Sequence, residues 1–256
     1  DPALVDEARM TFHLTWFEAA EGKLAAAAAA DPEASLIPAY QAANHAMLYQ
    51  DPSADIARAR DLAADGDDGE QLLAAILTAF AENDLDTCRA KITDFLVLYP
   101  DDAYVRHIDG FTLNDTGDSA AGAVVLARLI ADRPDFTPAY NHLGYALLDQ
   151  GRLDEARVAM ETFVAGAPDN PSAYDSLSEV ALAEGDIEAG IAALARSVLA
   201  DPDFAYGWRH LGDVLRDGGE PGLARGAYER ALAAADGLYG EDFLAGTQER
   251  IDALAE

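Results

Sequence analysis

An all-α array of antiparallel helix pairs is the fold this sequence predicts, and three observations predict it. Half of the residues are apolar, and the commonest of these is Ala, the best helix former because it loses no side-chain entropy. Gly and Pro recur as punctuation between apolar stretches of about 12 to 15 residues, a spacing that suits helices. The punctuation is itself periodic: Pro134, Pro168 and Pro202 lie 34 residues apart, as do Gly151, Gly185 and Gly219.

The period extends to the residues between these marks. From Pro138-Ala139-Tyr140-Asn141-His142-Leu143-Gly144, one step of 34 reaches Ser172-Ala173-Tyr174-Asp175-Ser176-Leu177-Ser178. A second reaches Tyr206-Gly207-Trp208-Arg209-His210-Leu211-Gly212. Ala156, Gly190 and Ala224 keep the register, followed by Met160, Leu194 and Tyr228. An aromatic, Leu-Gly three and four residues on, a small mid-repeat residue and a late Pro resemble the tetratricopeptide repeat family, in a form similar to a bacterial subgroup. The resemblance implies a helix–turn–helix per unit and a right-handed superhelical α-solenoid with a concave groove. Physical reasons agree: the Gly and Ala sites let paired helices cross closely, and the Pro ends the second helix.

Each unit can be placed in turn. The opening segment, 1–36, is a degenerate repeat with Phe12, Leu14, Trp16 and Phe17, then Gly22 and a second helix cut to Lys23–Ala30. Spacings of 4 and 5 put Phe12, Trp16 and Phe17 on one helical face, expected to pack as core. In 37–68, Pro38-Ala39-Tyr40 echoes Pro138-Ala139-Tyr140, and the unit reads as about two residues short. Unit 69–102 keeps Leu72, Cys88, Ile92, Phe95 and Pro100; unit 103–136 keeps Gly110 and Pro134 but has Arg106 and Asp109 in place of the aromatic and Leu. Full repeats follow at 137–170, 171–204 and 205–238. Residues 239–256 read as a capping helix offering Phe243, Leu244, Ile251 and Leu254 to the open end, since an array without a cap exposes apolar surface.

Within the family the first helix of each pair lines the groove, and its facing positions map here onto Tyr104, His107 and Phe111, then Asn141 and Tyr145, Asp175 and Glu179, and Tyr206, Arg209 and Asp213. Aromatic anchors among acids and amides suit an extended peptide or partner helix that carries basic groups. The clamp that some family members close on a C-terminal carboxylate uses groove Lys, Asn and Arg; this groove has no Lys and offers Asp175, Glu179 and Asp213 instead. An equally simple reading is that the groove is acidic because the whole chain is.

The formal net charge is −30, a field that repels phosphate backbones and anionic lipid. It favours basic partners or cations, and it also serves solubility or life at high salt. No apolar run of 18 residues is present. Cys88 is the lone cysteine, so the chain has no internal disulfide and no thiolate cluster. It takes the small buried place at a helix crossing.

His13, His45, His107, His142 and His210 have no i, i+3 or i, i+4 histidine partner and read as structural; the shared repeat position of His142 and His210 reads as an echo. Asp65-Gly66-Asp67-Asp68-Gly69-Glu70 has Ile76 where an EF-hand needs its twelfth-position Glu, so it reads as an inter-repeat loop capping the next helix. Nucleotide and nucleophilic-serine motifs are missing as well.

These features point to a non-catalytic interaction scaffold, adaptor or accessory subunit of a multiprotein complex, with no cofactor and no metal. Its partner is a protein, basic or apolar rather than acidic, and neither nucleic acid nor membrane is expected. The alternative is a regulatory ligand-binding module coupled to a separate enzyme, with its ligand near Tyr145, Glu179 and Arg209. A start at Asp1-Pro2 rather than Met reads as a processed or trimmed end, compatible with bacterial cytoplasm or periplasm.

Overall fold

The computed structural model describes residues 2–254, and among these the regular structure is fifteen α-helices without a strand. They are α1 (Pro2–His13), α2 (Phe17–Ala30), α3 (Leu36–Met47), α4 (Ser53–Ala63), α5 (Asp68–Ala81), α6 (Leu85–Leu98), α7 (Ala103–Asp115) and α8 (Ser119–Asp132). Next come α9 (Pro138–Asp149), α10 (Leu153–Gly166), α11 (Pro171–Ala183), α12 (Ile187–Ala200), α13 (Ala205–Asp217), α14 (Pro221–Ala235) and α15 (Glu241–Ala253). No helix is long and apolar enough to cross a membrane, among the described residues.

Seven turn residues adopt the left-handed conformation at one period. Gly117, Gly151, Gly185 and Gly219 have φ between 70° and 85°, and Thr15, Tyr49 and Asn83 have φ of 57°, 58° and 56°. Each lies 34 residues after the last, between the two helices of a pair. The register therefore runs through the amino-terminal part undiminished, and the expected two-residue shortening of the second unit is corrected: α4 is short, and the Ala64–Asp67 loop makes up the difference. The same count shows why Pro38-Ala39-Tyr40 misleads. Tyr40 stands nine residues before its turn residue, as His142 does before Gly151, so it is the counterpart of His142 and not of Tyr140.

Thr15 also corrects the reading of the first segment. Its left-handed backbone ends α1 at His13, and α2 starts at Phe17 rather than Lys23. Phe12 and Phe17 therefore belong to different helices that meet with ring centroids 5.6 Å apart. Phe12 is buried, while Trp16 and Phe17 are half-buried. Gly22 lies inside α2 with open space around it, where the Ala-rich run sustains the helix.

Part of the acidity is spent on helix ends. The side chains of Asp67, Asp84, Asp102, Asp118 and Asp186 each accept a backbone N–H in the first turn of the helix that follows, and Asn170 does the same for α11. Asp67 and Glu70 form a reciprocal capping box, so the loop expected to cap α5 does so.

Two compact units divide the chain between Ala146 and Leu147. In the first, α1/α2, α3/α4, α5/α6 and α7/α8 pack as pairs around Tyr40, Leu77, Ile92 and Ile108. Cys88 is fully buried there, and burial pushes its thiol up to about 12. Gly110 brings α7 against α8 so closely that a Cβ would strike Leu126. Where a later repeat has an aromatic, Arg106 instead donates to Asp132 at 2.7 Å.

In the second unit, α11/α12 and α13/α14 are pairs, and α15 covers α14 through Ile251 against Ala224 and Tyr228. Gly212 meets the Tyr228 ring as Gly110 meets Leu126. The repeated aromatic closes each repeat onto the one before: Tyr174 Oη donates to the Pro168 carbonyl at 2.9 Å, and Trp208 Nε1 to the Pro202 carbonyl at 2.9 Å. Tyr140 makes the equivalent bond to Pro134 in the first unit, at 3.2 Å.

Candidate functional site

Each unit carries some of the groove residues, and the two sets have different surroundings. In the first unit, α1 lies against them. The Arg9 guanidinium stacks on Tyr104, 4.1 Å from the ring centroid. His13 packs 4.8 Å from the Tyr104 ring and 5.1 Å from the His107 ring, and Asn141 Nδ2 donates to Thr15 Oγ1 at 3.4 Å. Tyr104, His107 and Asn141 therefore face the chain's own amino-terminal helix and the turn after it. Phe111 stacks on Phe80 and His142. Tyr145 is half-buried on α9.

A file of hydrogen bonds runs through this contact. Arg9 Nε donates to Tyr40 Oη at 3.2 Å, Tyr40 Oη lies 3.3 Å from His13 Nε2, and His13 Nδ1 lies 2.8 Å from His107 Nδ1. His107 Nε2 then lies 2.9 Å from His142 Nδ1 and 3.2 Å from the Pro138 carbonyl. The Pro138 carbonyl can only accept, so the neutral His107 ring carries its proton on Nε2 and accepts at Nδ1, which fixes the polarity. Tyr40 accepts from Arg9 and sends its own proton to His13 Nε2; His13 Nδ1–H then donates to His107, and His107 Nε2–H donates to His142 and Pro138.

Each imidazole in the file is held neutral chiefly because burial disfavours charge, and at His13 the Arg9 guanidinium adds to the penalty. His13 and His107 are held well below the ordinary histidine range, and His142 is pushed down to about 4. The reading of His142 and His210 as a repeat echo outside any constellation is corrected here. His13, His107 and His142 meet in space from three distant segments, a cluster that His210 does not share. A metal is a poor fit to them, since the facing nitrogens are already bonded to one another.

Beside this file, Phe12, Phe17, Met47, Phe80, Phe111 and Asp115 contribute to the wall of a cavity of about 170 Å³. His45, on the other face of α3, bridges Glu21 at 3.2 Å and Asp55 at 2.7 Å, and chiefly the Glu21 bond raises it to about 9.

In the second unit, α11 and α13 present Asp175, Glu179, Tyr206, Arg209 and Asp213. His210 Nδ1 lies 2.9 Å from Asp175 and its Nε2 3.6 Å from Glu179. Burial pulls its charged form down, but the Asp175 hydrogen bond and the charges of Asp175, Glu179 and Asp213 outweigh that, so its pKa is raised. Glu179 is raised by burial, yet 44% of its side chain stays exposed. Arg209 lies 4.5 Å from the Tyr206 ring centre and 4.0 Å from that of Phe243, which α15 supplies. Asp213 is committed internally, accepting from Tyr228 Oη at 2.8 Å, Arg250 Nε at 2.9 Å and Arg216 Nη1 at 3.1 Å.

Sequence reasoning missed His13, Tyr40, Phe243 and Arg250. The only available signal was that Tyr40 and His142 stand at one distance from their turn residues.

A tetratricopeptide repeat family model matches residues 113–180 and again 147–212. No curated protein matches the sequence. Among solved structures, a tetratricopeptide repeat protein from Parabacteroides merdae ATCC 43184 is 11% identical with a TM-score of 0.68, covering 100% of this chain and 98% of its own. Cut9 in the Cut9–Hcn1 hetero-tetramer of the APC/C is 15% identical with a TM-score of 0.72; 98% of this chain aligns with 50% of that one. PilW, a type IV pilus biogenesis factor, is 17% identical with a TM-score of 0.60, covering 84% of this chain and 98% of its own. At these identities the likeness is one of fold.

Proposed function

Because the chain belongs to the tetratricopeptide repeat family, we propose that it is a non-catalytic scaffold that holds a basic segment of a partner protein on the α11–α13 face of its second unit. The observation that carries this reading is half-exposed Glu179 with Asp175 beside it, on a face where Tyr206 is only half-buried. Carboxylates at a half-open face suit a segment that carries Lys or Arg among apolar side chains. The net charge of −30 steers such a segment inward. In the first unit the corresponding residues already face α1, so the open acidic face is that of α11 and α13. Cut9 is found in a hetero-tetramer with Hcn1, and a subunit role of that general kind fits here.

The test is calorimetry with a Lys/Leu-rich peptide, beside a pull-down from the native organism read by mass spectrometry. Replacing Asp175 and Glu179 together by Ala should weaken the peptide about tenfold or more, and salt should weaken it in the parent protein. Affinity unchanged by the double substitution overturns the assignment of the face.

A further inference from the structure

The cavity in the first unit is a space that the repeat architecture does not require. It is a half-open pocket with its mouth at exposed Asp115 and an apolar, mostly aromatic lining. Its walls come from five helices: Phe12 on α1, Phe17 on α2, Met47 on α3, Phe80 on α5 and Phe111 on α7. The rings are steeply inclined, 58° between Phe12 and Phe17 and 76° between Phe80 and Phe111, as the sides of a box must be.

From these walls we propose that the cavity binds a methylated organic ammonium ion of about the size of choline. Charge, bonding and volume each argue for that class. Among the described residues that line the space, the charged group is the Asp115 carboxylate at the exposed rim, and none is Lys or Arg. His13, His107 and His142 border it as neutral rings. One negative charge among aromatic faces matches one cation.

A metal ion or primary ammonium needs several oxygen acceptors converging on it; on this wall Thr15 Oγ1 already accepts from Asn141 Nδ2, and the facing histidine nitrogens bond one another. A quaternary ammonium has no N–H to satisfy and offers methyl groups to the rings. The volume, about 170 Å³, is close to the roughly 150 Å³ of an engineered apolar cavity that holds benzene.

The experiment titrates choline chloride into the full chain at 0.15 M NaCl and follows the three methionine methyl resonances. Its uncharged isostere, 3,3-dimethyl-1-butanol, is titrated in parallel. Met47 should shift on saturation while Met160 stays still, and choline should bind about tenfold or more tightly than the isostere. Asp115→Asn should weaken choline about tenfold and leave the isostere unchanged. One carboxylate among 47 acidic residues would not register if the ion merely joined the counterion cloud. Phe111→Leu keeps apolar bulk and removes a ring face, so it should weaken choline more than the isostere. Equal binding of the two molecules, or no Met47 shift at tens of millimolar choline, overturns the proposal.

Discussion

His13 Nδ1 sits 2.8 Å from His107 Nδ1, so the last residue of α1 is bonded to the middle of α7 across 94 positions of chain. Two nitrogens at that distance share one proton, so one of the pair must stay unprotonated. Protonation of both facing nitrogens puts two donors face to face inside a buried site, which makes the contact a gauge of acidity.

The first prediction is an acid limb in stability. His13, His107 and His142 have folded pKa values below the ordinary 6.5, His142 at about 4. The unfolded chain therefore binds more protons once pH drops below 6.5. Stability is full above that value and declines as pH falls toward 4. Thermal melts from pH 7 to 4 should show the decline, and His142→Gln should make it shallower. An equal slope in the variant would place the acid loss elsewhere.

His45 titrates in the opposite direction. Held by Glu21 and Asp55, it stays charged to about 9. Its contribution is complete below 6.5 and is lost as pH rises from there through 9. The imidazole resonance should titrate near 9 in the native protein, and Glu21→Gln should return it toward 6.5. A native midpoint near 6.5 would contradict the bridge.

Two glycines of the last repeat should respond to alanine with opposite signs. Gly212→Ala drives a Cβ into the Tyr228 ring and should cost about 1–3 kcal/mol. Gly226→Ala, in open space on the exposed side of α14, should gain roughly 0.5–1 kcal/mol by helix propensity. Denaturant melts of both variants give the comparison.

Tyr49 occupies a left-handed turn position that later repeats give to Gly. Tyr49→Gly should stabilise the first unit by about 1 kcal/mol, because a side chain pays a steric penalty there that Gly does not. A loss of stability would show that the contacts of the Tyr49 ring outweigh the strain.

Cys88 should be silent toward thiol reagents in the native state. It is fully buried and its thiol is pushed up to about 12, so little thiolate is available at pH 8. Labelling should appear only with denaturant and report unfolding of the first unit. Prompt labelling without denaturant would show that this core opens readily.

The fold was legible because tetratricopeptide packing is local. A small residue faces its partner helix 16 positions on, as Gly212 faces Tyr228 and Gly110 faces Leu126, so the sequence period encodes the contact directly. The helix boundaries in the first segment were less legible, since Thr15 holds a place that Gly marks elsewhere. The histidine file was not legible at all. His142 and His210 share a repeat position, yet one is neutral beside His107 and the other has a raised pKa between Asp175 and Glu179. Periodicity reports what a residue does within its own repeat. It carries no information on what α1, folding back, brings to α7 and α9.

The evenly spaced left-handed turns make the chain a ruler with one graduation, from residue 15 to residue 219. A protein divided this way can gain or lose length in whole divisions without moving any helix pair off its partner. Splicing in a duplicate of residues 152–185 after Gly185 would repeat a complete division, joining each cut to backbone of matching conformation. Growth by insertion and tolerance of drift thus share one origin: each turn needs only a residue that can turn left, and the choice among Gly, Asn, Tyr and Thr is left to the neighbours.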